Sequence, residues 1–71
     1  LEMRFWQQAV DDFTTALNLG AATALPVFNR AMAFEGLGET EMARADLVIA
    51  FTMEPNEVTY QEKYREYGLI P

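Results

Sequence analysis

Apolar residues recur every three or four positions along most of this chain, the spacing that places side chains on one face of an α-helix. The pattern is clear from the first residue to Gly20, a residue type common in the left-handed turn that ends a helix. We therefore predict a first helix over about residues 1–19. Its apolar side comprises Trp6, Ala9, Val10, Phe13, Ala16 and Leu17.

Three further helices are predicted by the same spacing and by the residues that interrupt it. The second covers about residues 24–37 and ends at Gly36 and Gly38, and the third covers about 40–53 and is closed by Pro55. The last runs from 57 to about 67 and ends at Gly68. The candidate N-caps are Thr23 and Asn56. These elements predict an all-α fold of four helices with no strand.

The chain repeats itself when it is shifted by 34 residues, which aligns the first helix with the third. Small residues fall on small residues, and large apolar residues fall on large apolar residues. A helix–turn–helix unit with this period is the signature of tetratricopeptide arrays. The matched pairs are Ala9 with Ala43, Asp12 with Asp46, Phe13 with Leu47, Ala16 with Ala50, and Leu19 with Met53.

The chain accordingly resembles the tetratricopeptide repeat family, with one complete unit over residues 24–57. The family's small, aromatic, turn and closing positions are filled by Ala31, Phe34, Gly38, Ala43, Leu47, Ala50 and Pro55. Val27 and Arg30 depart from the usual aromatic and leucine. The resemblance implies one domain over 1–71, a fragment of an α-solenoid of antiparallel helix–turn–helix repeats. Residues 1–20 are then the second helix of a partial repeat, and 57–68 a C-terminal capping helix.

Charge excludes some classes of partner. The net charge is −6, and the five basic residues are scattered along the chain, so we expect neither nucleic acid nor anionic membrane as a partner. No apolar run approaches the roughly 20 residues of a membrane helix, and no signal peptide is apparent. We expect a soluble protein, and its lack of cysteine fits the cytoplasm.

Catalytic chemistry is poorly represented, since the chain has no His, Cys or Ser. These residues are the commonest general base and nucleophiles in enzymes. Adjacent carboxylates such as Asp11 and Asp12 do not face each other on a helix. We therefore predict that the chain is not an enzyme and has no catalytic, metal or cofactor site.

The tetratricopeptide resemblance implies binding of a peptide or helix of a protein partner on a concave surface lined by the first helix of each unit. On the last helix, Thr59, Glu62, Lys63 and Glu66 would continue this surface. For Phe28 and Met32 the alternative is packing against the preceding helix or a second copy. Some members of the family clamp a C-terminal carboxylate, but the net charge of −6 disfavours that use here. The groove candidates are Leu25, Phe28, Asn29, Met32, Glu35 and Lys63.

The alternative function is a structural one, self-association into a homo-oligomer through apolar helix faces. Helix one has apolar residues without an obvious partner within the chain, and exposed apolar patches usually mark interfaces. We expect this side either to join upstream repeats of a longer protein or to pair with a second copy of the chain. The tyrosines of the last helix are instead expected to pack on helix three, as a closing helix requires. The candidates for self-association are Phe5, Trp6 and Val10.

Overall fold

The computed structural model describes residues 2–20 and 23–69, and within these ranges the chain forms four α-helices and no strand. The predicted all-α fold is confirmed. The connection predicted over 21–24 falls partly on residues outside the described ranges. The helices are α1 (Glu2–Asn18), α2 (Ala24–Gly36), α3 (Thr40–Met53) and α4 (Val58–Glu66).

Each helix packs against the next one in the chain, α1 on α2, α2 on α3 and α3 on α4. The short connections make neighbouring helices antiparallel, as in other helical hairpins. Alanines at the contacts let the helix axes approach closely, and Ala31, Ala43 and Ala50 are completely buried. The core joins α2, α3 and α4 through Ala24, Val27, Phe28, Ala31, Leu47, Ala50 and Tyr60.

The end of α2 is set by Gly38, as the local sequence predicts. Gly38 has φ +78°, a conformation that costs glycine little because it lacks a Cβ. Its N–H donates to the Glu35 carbonyl at 3.0 Å, and the Glu39 N–H donates to the Phe34 carbonyl at 2.9 Å. These two bonds form a Schellman cap, which satisfies carbonyls that the helix end would leave unpaired. The chain can therefore reverse directly into α3.

The start of α4 differs from the prediction. Asn56 is not the N-cap, because it lies within a turn in which the Glu57 N–H donates to the Glu54 carbonyl at 3.2 Å. Glu57 is the N-cap, and its carboxylate accepts a hydrogen bond of 3.4 Å from the Thr59 N–H. At α2, Thr23 does occupy the N-cap position, but its side chain makes no capping hydrogen bond.

None of the helices in the described ranges is both long enough and apolar enough to cross a membrane.

Candidate protein-interaction surface

The second helix is covered on three sides by the other helices. On the α1 side, the Trp6 indole lies directly over Gly36, where there is no side chain to exclude it. On the α3 side, Arg30 binds Asp46, and on the α4 side the Phe28 ring meets Tyr60 with ring centroids 4.6 Å apart. These contacts leave Leu25 exposed and leave Asn29 and Met32 half-buried on one side of α2, while Gly36, one turn further along that side, lies under Trp6.

We call this partly exposed side the open strip, formed by Leu25, Asn29 and Met32. Their spacing of i, i+4 and i+7 places them along one line of the helix. Leu25 is 58% exposed, whereas Asn29 and Met32 are half-buried, and Met32 packs against the core. The open strip thus offers an aliphatic side chain, a flexible thioether and an amide beside one another.

Phe28 requires a correction, because the groove prediction needs it at the surface. The residue is only 8% exposed and stacks at a tilt on Tyr60 of α4. The aromatic ring gains more by burial against another ring than by exposure to water, and α4 provides that partner. Phe28 therefore belongs to the core, by packing on the following helix rather than on the preceding helix or a second copy.

Glu35 and Lys63, the two charged groove candidates, bind each other across α2 and α4. Lys63 Nζ donates to both Glu35 carboxylate oxygens at 3.1 and 3.2 Å and to Glu66 at 3.3 Å, and the Tyr67 hydroxyl donates to Glu35 at 2.9 Å. Burial would lower the pKa of Lys63, but its hydrogen bonds to Glu35 and Glu66 outweigh burial and raise it. Burial and then the bond to Glu35 raise the pKa of Tyr67. The charges of Glu35 and Lys63 are thus largely compensated by groups of the same chain.

The other groove positions predicted on α4 are all exposed, namely Thr59, Glu62 and Glu66.

The three self-association candidates on α1 separate in the structure. Phe5 is 61% exposed and meets Trp6 edge-on, with centroids 5.1 Å apart at 71°. Trp6 is half-buried over Gly36, and Val10 is only 7% exposed. The prediction of an open face containing all three is wrong for Trp6 and Val10, because α2 covers that side of α1. Phe5 alone keeps the exposure that self-association would require.

The sequence did not predict an ion pair between α2 and α3, whose arginine also hydrogen-bonds α1. Arg30 donates from Nε and Nη2 to the two carboxylate oxygens of Asp46, at 2.7 and 2.9 Å, and from Nη1 to the Thr14 hydroxyl at 3.1 Å. The bond to Asp46 raises the pKa of Arg30, and Asp46 is only 3% exposed. The sequence pattern could have indicated this pair, because it places an arginine and an aspartate on the inward faces of two paired helices. A charge on an inward face needs a partner.

The tyrosines of α4 were predicted to pack on α3, but they divide between α3 and α2. Tyr64 stacks on Phe51 of α3 with centroids 4.2 Å apart and planes 14° from parallel. Tyr60 is buried on Phe28 of α2, and burial followed by Glu54 and Glu57 raises its pKa. Within the described residues no group of three or more His, Cys, Asp or Glu could hold a metal ion.

Fold and surface together define an all-α chain of packed antiparallel helix–turn–helix pairs with one partly exposed helix side. No family model matches the chain, and no solved structure matches it significantly. The chain is similar to a segment of protein unc-45 homolog B of Danio rerio, at 34% identity over 68 residues, and of its Mus musculus counterpart, at 31% over 65 residues.

These matches cover 96% and 92% of this chain, but the chain spans only 7% of the length of each relative. Together with the packed helix pairs, the similarity supports a helical repeat. The narrower tetratricopeptide assignment stays a prediction from the pattern of residues.

Proposed function

We propose that this chain is a protein-interaction module of the tetratricopeptide type that binds a peptide or helix of a partner along the open strip. The observation that carries the proposal is the 58% exposure of Leu25 next to half-buried Met32 and Asn29. An exposed aliphatic residue beside an adaptable thioether favours an apolar partner side chain, and Asn29 can hydrogen-bond a peptide backbone. The 34-residue period supports the same assignment.

We propose no catalytic role for the chain. Its lack of His, Cys and Ser supports this view, and so do the ion pairs between helices that Arg30 makes with Asp46 and Lys63 makes with Glu35. Partner specificity would then depend on shape and apolar contact, with Glu35 and Lys63 already engaged at one end of the open strip.

A displayed peptide library selected against the full chain would test the proposal. Leu25→Asp places a charge on the open strip, and we expect it to weaken binding of the selected peptides at least about tenfold, a loss of ~1.4 kcal/mol. Leu19→Asp is the matched control, because Leu19 is 84% exposed at the end of α1. Equal binding by both variants, or no enriched peptide, would contradict the proposal.

Self-association is the second candidate, favoured by the 61% exposure of Phe5. Light scattering over a range of concentrations separates the two functions. A mass that rises with concentration and returns to that of one chain in Phe5→Glu indicates a homo-oligomer. A constant monomer mass for both proteins removes this candidate and leaves peptide binding.

A further inference from the structure

One face of α3 is apolar and exposed along its whole length. Met42 is 50% exposed and Ile49 45% exposed, and Ala45 and Met53 are exposed as well. Their spacing of i, i+3, i+7 and i+11 keeps these residues on one side of the helix over about 16 Å. We call this face the outer stripe, formed by Met42, Ala45, Ile49 and Met53.

The other faces of α3 are occupied within the chain. Leu47 is buried in the core shared with α2, and Phe51 stacks on Tyr64 of α4. Arg44 is the only basic residue of α3 and lies seven positions before Phe51, hence on the side that faces α4. The outer stripe is therefore the face that neither neighbouring helix covers, and it contains no positive charge.

The internal repeat shows that this face stays open when a following repeat is packed against the helix. The shift of 34 residues matches Met42, Ala45 and Ile49 with Gln8, Asp11 and Thr15 of α1. Both helices that follow α1 are present, and α2 packs on it, yet all three matched residues are exposed. The exposure of the outer stripe thus does not depend on the absence of a further helix.

The two helices differ in chemistry on this face. In α1 the three matched positions carry an amide, a carboxylate and a hydroxyl, as a solvent-exposed helix face usually does, whereas in α3 all three are apolar. Packing within the chain gives no reason for this difference, and a contiguous exposed apolar patch usually marks an interface. Ala45, in the middle, allows another helix to approach closely. The outer stripe is therefore suited to docking of a helix.

Both ends of the outer stripe are acidic. Glu39 and Glu41 lie at its N-terminal end and Glu54 and Glu57 at its C-terminal end, and all four are exposed. Glu54 and Glu57 also line an open cavity of about 470 Å³, which Met53 connects to the outer stripe. Among the described residues, none of these four carboxylates takes part in an ion pair. The charge pattern is therefore complementary to a helix with basic ends.

We infer that the outer stripe binds an amphipathic helix of a partner protein, which places an apolar side on Met42, Ala45 and Ile49 and a lysine or arginine near each acidic end. A second copy of the chain fits less well, because it carries a charge of −6 and would bring acidic ends against acidic ends. The outer stripe lies on α3 and the open strip on α2, so the inference goes beyond the proposed function.

A displayed library of 16-residue helical peptides tests both parts of the inference. One side of each helix varies among Ala, Leu, Ile and Met, and the end positions vary among Lys, Gln and Glu. Selection against the full chain should enrich apolar residues in the centre and lysine at the ends. Titration of the selected peptides into the isotope-labelled full chain, followed by amide chemical shifts in NMR, should move residues 42–53 most.

The residues of α1 supply the matched variant, because the chain already carries them at the corresponding exposed positions. We expect Met42→Gln/Ala45→Asp/Ile49→Thr to weaken binding of the selected peptides at least about tenfold, while circular dichroism still shows a cooperative thermal transition. Ile49→Lys is a second, single variant that should weaken binding similarly, because it repels the basic ends. Thr15→Lys makes the same change at the matched position of α1 and should leave the affinity unchanged.

A second pair of variants tests the acidic ends. Glu41→Gln/Glu54→Gln removes one carboxylate from each end, and we expect it to weaken binding at least about threefold at low salt, with a smaller effect at high salt. Asp11→Asn/Asp12→Asn is the control, since it changes the net charge by the same amount on α1 and should leave the affinity within this factor.

Several results would overturn the inference. One is a selection that enriches no peptide, or one that returns Glu and Gln at the ends as often as Lys. Another is equal affinity for wild type, Ile49→Lys and Thr15→Lys. Shifts centred on Leu25 would instead assign the selected peptides to the open strip. A chain that dimerises by light scattering and becomes monomeric in Ile49→Lys would assign the outer stripe to a second copy.

Discussion

At the scale of single residues, Arg30 shows how a charge on an inward face of a helix can be structural. The sequence alone did not show which group this charge pairs with. In the fold, its guanidinium satisfies buried Asp46 and reaches Thr14 on α1. A buried carboxylate without a partner would cost several kcal/mol, so each member of the pair makes the other tolerable.

Arg30→Met should therefore lower the free energy of unfolding by about 3 kcal/mol, near the lower end for breaking a buried ion pair. The lower end applies because the Arg30 side chain keeps 21% exposure. Urea denaturation followed by circular dichroism measures this loss. Arg30→Met/Asp46→Leu should recover most of it, because an apolar pair of similar volume replaces the ion pair. A double variant no more stable than the single one would contradict the explanation.

The raised pKa of Tyr60 leads us to expect that the protein loses stability at alkaline pH. Burial and then the nearby Glu54 and Glu57 raise the pKa of its phenol, so the folded state favours the neutral form. A group with a raised folded pKa contributes stability below its unfolded pKa, about 10 for tyrosine, and loses that contribution as pH rises through the folded value.

We expect the urea midpoint to decline above about pH 10, and Tyr60→Phe to decline less steeply while remaining folded at neutral pH. Tyr67, which is raised by burial and Glu35, and Lys63, which is raised by its carboxylate partners, contribute with the same sign. Parallel profiles for wild type and Tyr60→Phe would show that Tyr60 has no part in the decline.

At the scale of elements, local signals predicted the helices well and their contacts less well. The bounds of α2, α3 and α4 lie within about a residue of the predicted ones, because glycine, proline and apolar spacing act over one or two turns. The Schellman cap at Gly38 is such a local feature, because its hydrogen bonds join residues at most five positions apart. The contact of Trp6 with Gly36 is not, because 30 residues separate them in sequence and only the docking of α1 on α2 brings them together.

Gly36→Ala tests that docking. Alanine favours a helix over glycine by about 1 kcal/mol, but its Cβ would collide with the Trp6 indole, and overpacking typically costs about 1–3 kcal/mol. We expect a net loss of stability together with a change in the fluorescence of Trp6, the only tryptophan.

Gly38→Ala is the control for Gly36→Ala. Its φ of +78° disfavours alanine by about 1–2 kcal/mol, but nothing lies near the added Cβ. Its tryptophan emission should match that of the wild type. Unchanged emission in Gly36→Ala would contradict the proposed collision.

At the scale of the whole molecule, α4 closes the core at its C-terminal side. Tyr60 covers Phe28 and Tyr64 covers Phe51, which otherwise would face water. A chain of this size has an unfolding free energy of only about 4–11 kcal/mol. Removing both aromatic contacts takes away a large part of that stability.

Truncation after Asn56 should therefore abolish the cooperative thermal transition seen by circular dichroism, and Tyr60→Ala alone should cost about 3–5 kcal/mol. Val58→Ala is the control within the same helix, because Val58 is 60% exposed and should change stability little. A truncated chain that melts cooperatively near the wild-type temperature would show that α4 is dispensable.

The sequence by itself determined the helices, the turns and the internal period, because these depend on residues a few positions apart or on a pattern visible by aligning the chain with itself. Only the tertiary structure decided which apolar residues remain accessible. Phe28 and Leu25 are both large apolar residues of one helix, yet α4 buries the first and leaves the second 58% exposed. It also paired Arg30 with Asp46 and left Asp12 open on α1, since the fate of a charge depends on which helix packs over it.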